Sequence, residues 1–387
     1  MSQSALVLNV GSSSVKFALY ELAKLALICR GNVDEIGSGR MSFSASGPRA
    51  ADLADAKPAA REHAGAVEWL LGVLTERLPD IALRAAGHRV VHGGSEFSDP
   101  VRIDRRVLAA LERFVPLAPS HQPQNLAAIR AVASAAPDLP QVACFDTAFH
   151  RTQAWHAQTF ALPRSLTGEG IVRYGFHGLS YEYLAGVLPE FAGNRADARV
   201  ILAHLGHGAS LCALRERRSV ATTMGFTALD GLVMGRRIGA VDPGVLLYLI
   251  EQKRMAPAEL SDLFYNRSGL LGVSGVSDDL RALEADGGPH AEEAMDLFAY
   301  RAAREIGSLA AALGGLDVLV FSAGIGEHSA TMRARIVAYS AWLGCELDAD
   351  ANAAHASRIS KVDSAVGVYV IPTDEEIVIA RAVRTLL

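Results

Sequence analysis

Cysteine is scarce, and the four present, Cys29, Cys144, Cys212 and Cys345, never form a Cys-x-x-Cys pair. Each sits in or beside an apolar run, the pattern of reduced, buried thiols in a cytosol. No basic block interrupts the chain. Its 37 Lys+Arg and 42 Asp+Glu leave a net charge of -5 spread along 387 residues, so nucleic acid is not an expected partner. No uncharged apolar run reaches membrane-spanning length, and the N-terminus has no basic region followed by a long apolar core. A cytoplasmic location without membrane contact is the expectation. No short-period repeat, no Pro/Gly/Ser-rich linker and no Walker A loop is present. What is there is 50% hydrophobic and 20% charged, long enough for two cores.

The stretch 5–20 reads as strand, polar turn and strand, hence a hairpin. Gly11 lets the turn close without a Cβ clash. Ser12, Ser13 and Ser14 offer hydroxyl and N–H groups, and Lys16 a point charge, so this turn suits a phosphate. An ordinary hairpin with a serine-rich turn fits the same residues.

Residues 61–78 place apolar side chains at 67, 70, 71, 74 and 78, which predicts an amphipathic helix. Residues 85–94 read as a buried strand closed by glycines, and 120–125 as a polar loop before a helix through Ala136. The strand 141–145 delivers Asp146 at its end, where ligand groups of α/β sheets gather. Residues 173–180 read as a loop before a helix. Residues 199–214 repeat the opening logic of strand, small-residue turn and strand, so the loops 9–14 and 204–210 look like equivalent parts of a duplicated unit. The aperiodic stretch 222–243 is long enough to be functional; Asp242 is placed to cap the helix that Pro243 starts. A long helix from about His290 ends at Gly314-Gly315. Residues 316–327 read as a strand, a glycine turn and a helical stretch. They present helix N–H groups to a phosphate or ribose, or form a plain strand-to-helix turn. At the last junction Thr373 as N-cap and Glu376 at N3 would make a capping box. Glu375 is then a dipole-favoured surface carboxylate or a metal ligand.

Taken together, Asn9-x-Gly-Ser-Ser-Ser-x-Lys16, Gly87-His-Arg-Val-Val-His-Gly93, Phe145-Asp-Thr-Ala-Phe-His150, Arg173-Tyr-Gly-Phe-His-Gly178, His204-Leu-Gly, Met234-Gly-x-Arg237, Ala323-Gly-Ile-Gly-Glu327 and Thr373-Asp-Glu-Glu376 resemble the acetate kinase family of acyl-phosphate-forming kinases over essentially the whole chain. The resemblance implies an α/β, duplicated actin/hexokinase/Hsp70-like (ribonuclease H-like) two-domain fold with a central interdomain cleft. The expected domains are 1–149, with the C-terminal helix 374–387 packing back on it, and 150–373. The implied activity is reversible, magnesium-dependent transfer of the ATP γ-phosphate to acetate, giving acetyl phosphate and ADP. A propionate or butyrate kinase of the same family is the alternative. A non-catalytic, nucleotide-switched relative would not need Arg89, His177 and Arg237 together, and a sugar kinase would want a carboxylate base beside a hydroxyl nucleophile.

By resemblance the catalytic residues are Arg89, Asp146, His177 and Arg237. The arginines bind the carboxylate and the transferring phosphoryl, and His177 steadies the transition state. Val91, Ser120, His121, Phe176 and Ala228 join Arg89 around the acyl group. ATP/ADP falls to Ser12, Ser14, Lys16, His204, Leu205, Gly206, His207, Gly208, Asp279, Leu280, Arg281, Gly324, Ile325, Gly326, Glu327 and His328. Asn9, Asp146 and Glu375 hold Mg2+ (or Mn2+), partly through water. If Asp279-Leu-Arg281 has no such role, it is a helix start capped by Ser277. A homodimer is implied. The sequence departs from the family at His207 and His328, where Asn is usual, at Arg236, where Thr is usual, and at Ala240, where an acidic residue is common. Ser120 and Ala228 are smaller than usual at the acyl pocket, so propionate is expected to be accepted along with acetate.

Overall fold

A computed structural model describes residues 2–11, 13–38, 40–58, 62–119 and 121–387. The chain divides into two compact units. One comprises the residues up to Ala148 together with Asp374–Leu387, the other Phe149–Thr373.

The first unit is built on a seven-stranded sheet. Its strands are β1 (Ser2–Val10), β2 (Val15–Glu21), β3 (Leu27–Asp34), β4 (Ser42–Ser46), β5 (Ile81–Val90), β6 (Val101–Arg102) and β7 (Gln141–Phe145). Their order is β4-β3-β2-β1-β5-β7-β6. The first four strands form an antiparallel meander, and β1, β5 and β7 run parallel. The expected hairpin forms: Asn9 pairs with Lys16, and the Gly11 N–H donates to the Ser14 carbonyl at 2.9 Å.

Strand alternation divides β1 between two layers. Leu6, Leu8 and Val10 join Val67, Leu70 and Leu74 of the helix His63–Arg77 in one core. The other face of β1 and β5 packs on the C-terminal helix Glu375–Leu386. Val7 lies beside Gly87 in the β1–β5 register. A Cβ at Gly87 would fall 2.5 Å from Ile379 Cγ2 and 2.7 Å from Val383 Cγ2. That missing methyl lets the C-terminal helix lie against the sheet. Two residues further on, the same face carries Asn9 and Arg89. We expect Gly87→Val to destabilise the protein by about 1–3 kcal/mol through overpacking, read as a lower urea midpoint; an unchanged midpoint would mean the helix does not need this contact.

The second unit holds β8 (Val200–Leu205), β9 (Ala209–Arg215), β10 (Arg218–Thr222), β11 (Val318–Ser322) and β12 (Gly367–Val370) in the order β10-β9-β8-β11-β12. This is the order of β3-β2-β1-β5-β7, with the same antiparallel meander and two parallel neighbours. The loops 9–14 and 204–210 therefore occupy equivalent places in two copies of one topology. Leu202, Cys212, Leu214 and Val320 pack on Tyr181, Leu184 and Leu188 of the helix Gly178–Ala192. The helix Pro289–Leu313 packs on β9 and β10 and ends at Gly314 in the left-handed region.

Three local expectations need correction. Gln122 and Asn125 belong to the helix Gln122–Ala135, not to a loop. Both are buried: Asn125 accepts from the Val91 N–H and donates to the Val10 carbonyl, and Gln122 accepts from the His92 N–H. Polar residues there answer to buried backbone, not to water. Asp374, not Thr373, caps the last helix by accepting from the Ile377 N–H at 3.0 Å, so Glu376 sits at N2 and the expected capping box is absent. Asp279, not Ser277, caps the helix Leu280–Asp286. In both places the carboxylate nearer the helix wins the cap. Asp242 does cap the helix Pro243–Glu251, accepting from the Gly244 N–H at 2.8 Å. All four cysteines are buried and free, and burial pushes the thiols of Cys29, Cys212 and Cys345 up to about 11, 12 and 12.

Candidate active site

In the first unit the carboxyl ends of three adjacent parallel strands deliver one polar group each. Asn9 comes from β1, Arg89 from β5, and Asp146 from just past β7. The N-terminus of the C-terminal helix adds Glu375. Arg89 ties them together. Its Nε donates to Asp146 Oδ1 at 3.0 Å and its Nη2 to Asp146 Oδ2 at 2.6 Å; Nη1 reaches Asn9 Oδ1 at 3.2 Å and Glu375 Oε2 at 3.5 Å. The Arg89 side chain is 21% exposed and that of Asp146 only 2%. Burial alone would lower the Arg89 pKa; the Asp146 and Glu375 charges outweigh it and hold it above its ordinary value. Burial, with the Glu375 charge behind it, raises the neighbouring Glu376 carboxyl.

This set fits magnesium. It offers two carboxylates and an amide oxygen, all already turned toward one cation, the guanidinium. Mg2+ takes one or two protein carboxylates and keeps several waters. No group of three or more His, Cys, Asp or Glu side chains able to hold a metal occurs among the described residues, so a fully protein-built cage is not on offer there.

Lys16 is exposed on the hairpin beside Asn9, and Ser14 is half-buried at its tip. Val91 is buried and His121 half-buried. Ser12 and Ser120 lie outside the described residues.

In the second unit, His177 begins the helix Gly178–Ala192 with a left-handed φ of 59°. Two groups hold that turn. Gly175, at φ +75°, leaves no room for a Cβ against the His150 ring, and His150 Nε2 donates to the Phe176 carbonyl at 2.9 Å. The His177 ring stacks on His204, with centroids 4.2 Å apart. Its Nδ1 bonds the Ser210 hydroxyl at 2.8 Å, and Ser210 also bonds the Tyr181 hydroxyl. If Tyr181 donates to Ser210 and Ser210 to Nδ1, a neutral ring carries its proton on Nε2. That nitrogen faces the second hairpin loop: a Cβ at Gly208 would lie 3.2 Å from His177 Nε2 and 3.8 Å from Arg237 Nη1. Arg237 is half-buried in the aperiodic stretch, where its Nη1 donates to the Ala228 carbonyl at 3.2 Å. Arg237, His177 and Gly208 thus converge.

Beside them opens a cavity of about 600 Å3 lined by Gly206, His207, Asp278, Asp279, Leu280, Arg281, Glu284, Gly324, Ile325, His328 and Ser329. Eight of these are sequence-predicted nucleotide residues. His204, Leu205, Gly208, Gly326 and Glu327 are not in the lining. Leu205 is a core side chain, and His204 Nδ1 bonds Ser180 Oγ, which in turn bonds Thr373 Oγ1. The glycine segment also differs from expectation. The helix Ala323–His328 follows β11 directly, and Glu327 Oε1 already accepts from the Ala323 N–H at 2.7 Å and the Thr373 N–H at 3.3 Å. Its first amide is closed by a carboxylate, so that amide is not offered to a phosphate.

Asp278 was not among the expected site residues. Its Oδ2 accepts from His207 Nε2 at 2.9 Å and from Arg236 Nε at 2.7 Å, joining two of the departures in one cluster. Burial would raise the Asp278 carboxyl; the hydrogen bonds from Arg236 and His207 bring it below the usual range.

The chain matches the acetokinase family over residues 4–381. It belongs to that family. It is 55% identical to the acetate kinase of Rhodopseudomonas palustris, with 100% of this chain and 99% of that protein covered. The crystal structure of Porphyromonas gingivalis acetate kinase aligns with a TM-score of 0.87 at 38% identity, and that of a propionate kinase from Francisella tularensis with 0.92 at 35%, each covering 100% of both chains. The α/β two-domain, actin-like fold inferred from the motifs is that of the family.

Two buried histidines give the site a pH limit. Burial pulls His88 and His150 from 6.5 down to about 4. Their folded pKa lies below the unfolded one, so the stability they lend is complete above 6.5 and is lost as pH falls toward 4. Each gap is worth on the order of 3 kcal/mol. Urea unfolding is expected to show a lower midpoint at about pH 4.5 than at about pH 7, and a smaller drop in His150→Gln. Equal drops in the two proteins would remove His150 from this account.

Proposed function

We propose that the protein phosphorylates acetate: the γ-phosphoryl of ATP passes directly and in line to the acetate carboxylate, giving acetyl phosphate and ADP, reversibly. The observation that carries this reading is the convergence of His177 Nε2 and Arg237 on the Gly208 loop, in a chain 55% identical over its whole length to an acetate kinase.

Acetate is already ionised at neutral pH and needs no general base. Its difficulty is repulsion by an anionic phosphoryl, so charge neutralisation and positioning do the catalysis. Arg237 and Arg89 supply that charge and bind the carboxylate and the phosphoryl in flight. The His177 Nε2–H donates to an equatorial oxygen. Asn9, Asp146 and Glu375 would hold Mg2+, which when bound neutralises the nucleotide phosphates. We assign Asp146 to metal and positioning rather than proton transfer, since it is already engaged by Arg89. Ser12, Ser14 and Lys16 serve the phosphates, and the cavity at Asp278–Arg281 and Gly324–His328 takes the nucleoside. Val91, Ser120, His121, Phe176 and Ala228 surround the methyl group. The protein acts as a cytoplasmic homodimer with two domains bounded near residues 149 and 373; no described helix is long and apolar enough to cross a membrane.

Hydroxylamine trapping tests the reading: acetyl hydroxamate should accumulate from ATP and acetate with Mg2+, and not without acetate. No hydroxamate from any short carboxylate would sink it. The alternative, propionate as the better acceptor, is favoured by the small Ala228 and by the likeness to the Francisella propionate kinase. One methylene is worth only about 1–3 kcal/mol in such a pocket. Propionate is therefore expected to turn over alongside acetate, and an efficiency about a thousandfold lower would contradict the open pocket.

A further inference from the structure

At the end of the first unit's sheet away from Arg89 lies a cavity of about 700 Å3. Its walls are apolar, with Leu22, Leu83 and Leu139, but its charge is cationic. Arg84, Arg102 and Arg384 line it, against the Asp138 side chain and the terminal carboxyl group of Leu387, so the guanidinium groups outnumber the acidic ones. The three arginines come from separate elements: Arg84 from near the start of β5, Arg102 from β6 and Arg384 from the last turn of the C-terminal helix. Elsewhere on this unit Arg49, Arg113 and Arg130 each sit on a carboxylate. Arg84, Arg102 and Arg384 make no such pair among the described residues. Gathering three guanidinium groups over low-dielectric walls focuses a positive field into the cavity, and forked donors match carboxylate and phosphate oxygens.

We infer that this cavity binds a small, multiply charged oxyanion, at a site separate from the residues assigned to phosphoryl transfer. The inference stands whether or not that assignment does. Arg84 shares β5 with Arg89, and Arg384 shares a helix with Glu375, so the ligand would sit on the two elements that carry those groups.

Titration calorimetry of the full chain at fixed ionic strength, with saturating ADP present, tests it using citrate and, separately, inorganic pyrophosphate. One further equivalent is expected to bind. Affinity should fall at least about tenfold in Arg84→Gln/Arg384→Gln and in Arg102→Gln, and hold in Arg237→Ala. Melting of the unliganded arginine variants should match the parent. Citrate binding alone identifies a polycarboxylate ligand, and pyrophosphate binding alone a phosphate one; either supports the site. The inference is overturned if neither probe binds, if binding survives the arginine changes, or if Arg237→Ala abolishes it equally.

Discussion

Arg89→Ala is expected to lower kcat by at least about a hundredfold and to destabilise the protein by about 3–5 kcal/mol. The two losses share one cause. The guanidinium is the cation that Asp146, Asn9 and Glu375 all face. Removing it takes this guanidinium from the buried Asp146 carboxylate and from Glu375. Breaking a buried pair from one side costs more than the pair contributes when intact. A second substitution separates the two effects. Glu375→Gln added to Arg89→Ala removes one of the stranded charges, so part of the stability should return while activity does not. Arg89→Lys should not restore activity, because a lysine cannot reproduce the fork that grips both Asp146 oxygens and Asn9. Steady-state kinetics and urea unfolding on the same preparations check this. A near-parental kcat in Arg89→Ala would remove the residue from the mechanism.

Asn9, Arg89, Asp146 and Glu375 were all candidates because the family motifs carry them; what else was legible follows from the kind of signal each residue carries. The hairpins, the strand ends and the Asp242-Pro243 cap are written in local spacing, and they form where the spacing puts them. Gly87 is different. Nothing around it in sequence says that Ile379 and Val383, almost three hundred positions away, need its missing methyl. Gln122 and Asn125 misled for the same reason, since their partners are backbone groups of Val10, Val91 and His92. At the last helix, Thr373 and Asp374 are both good caps. Tertiary contact decides between them: Thr373 is taken up by Ser180, and Asp374 is steadied by Arg30. Asp278 was invisible because an acidic residue in a polar stretch carries no mark of the His207 and Arg236 that meet there.

Arg237→Ala should separate catalysis from stability. Its Nη1 donates to the Ala228 carbonyl and reaches Met234 Sδ at 3.9 Å, and a hydrogen bond from a charged donor contributes about 1.5–3 kcal/mol. Unfolding should shift less than in Arg89→Ala, where the buried Asp146 carboxylate loses a guanidinium. The kinetic loss should be large all the same, because the guanidinium and His177 Nε2 face the same glycine loop. On the proposed assignment, charge developing on the transferring phosphoryl would meet both groups at once, while the ground-state nucleotide would have its other contacts in the cavity lined by Asp279, Leu280, Arg281, Gly324, Ile325 and His328. An interaction made mainly in the transition state lowers kcat and kcat/KM together and leaves the KM for ATP nearly unchanged. A loss of about a hundredfold or more in kcat is expected. Guanidinium ion added to the Arg237→Ala protein should recover part of that loss without changing the KM for ATP. If instead the KM for ATP rises while kcat holds, Arg237 belongs to nucleotide binding, and the charge that lets one anion approach another must come from a different side chain.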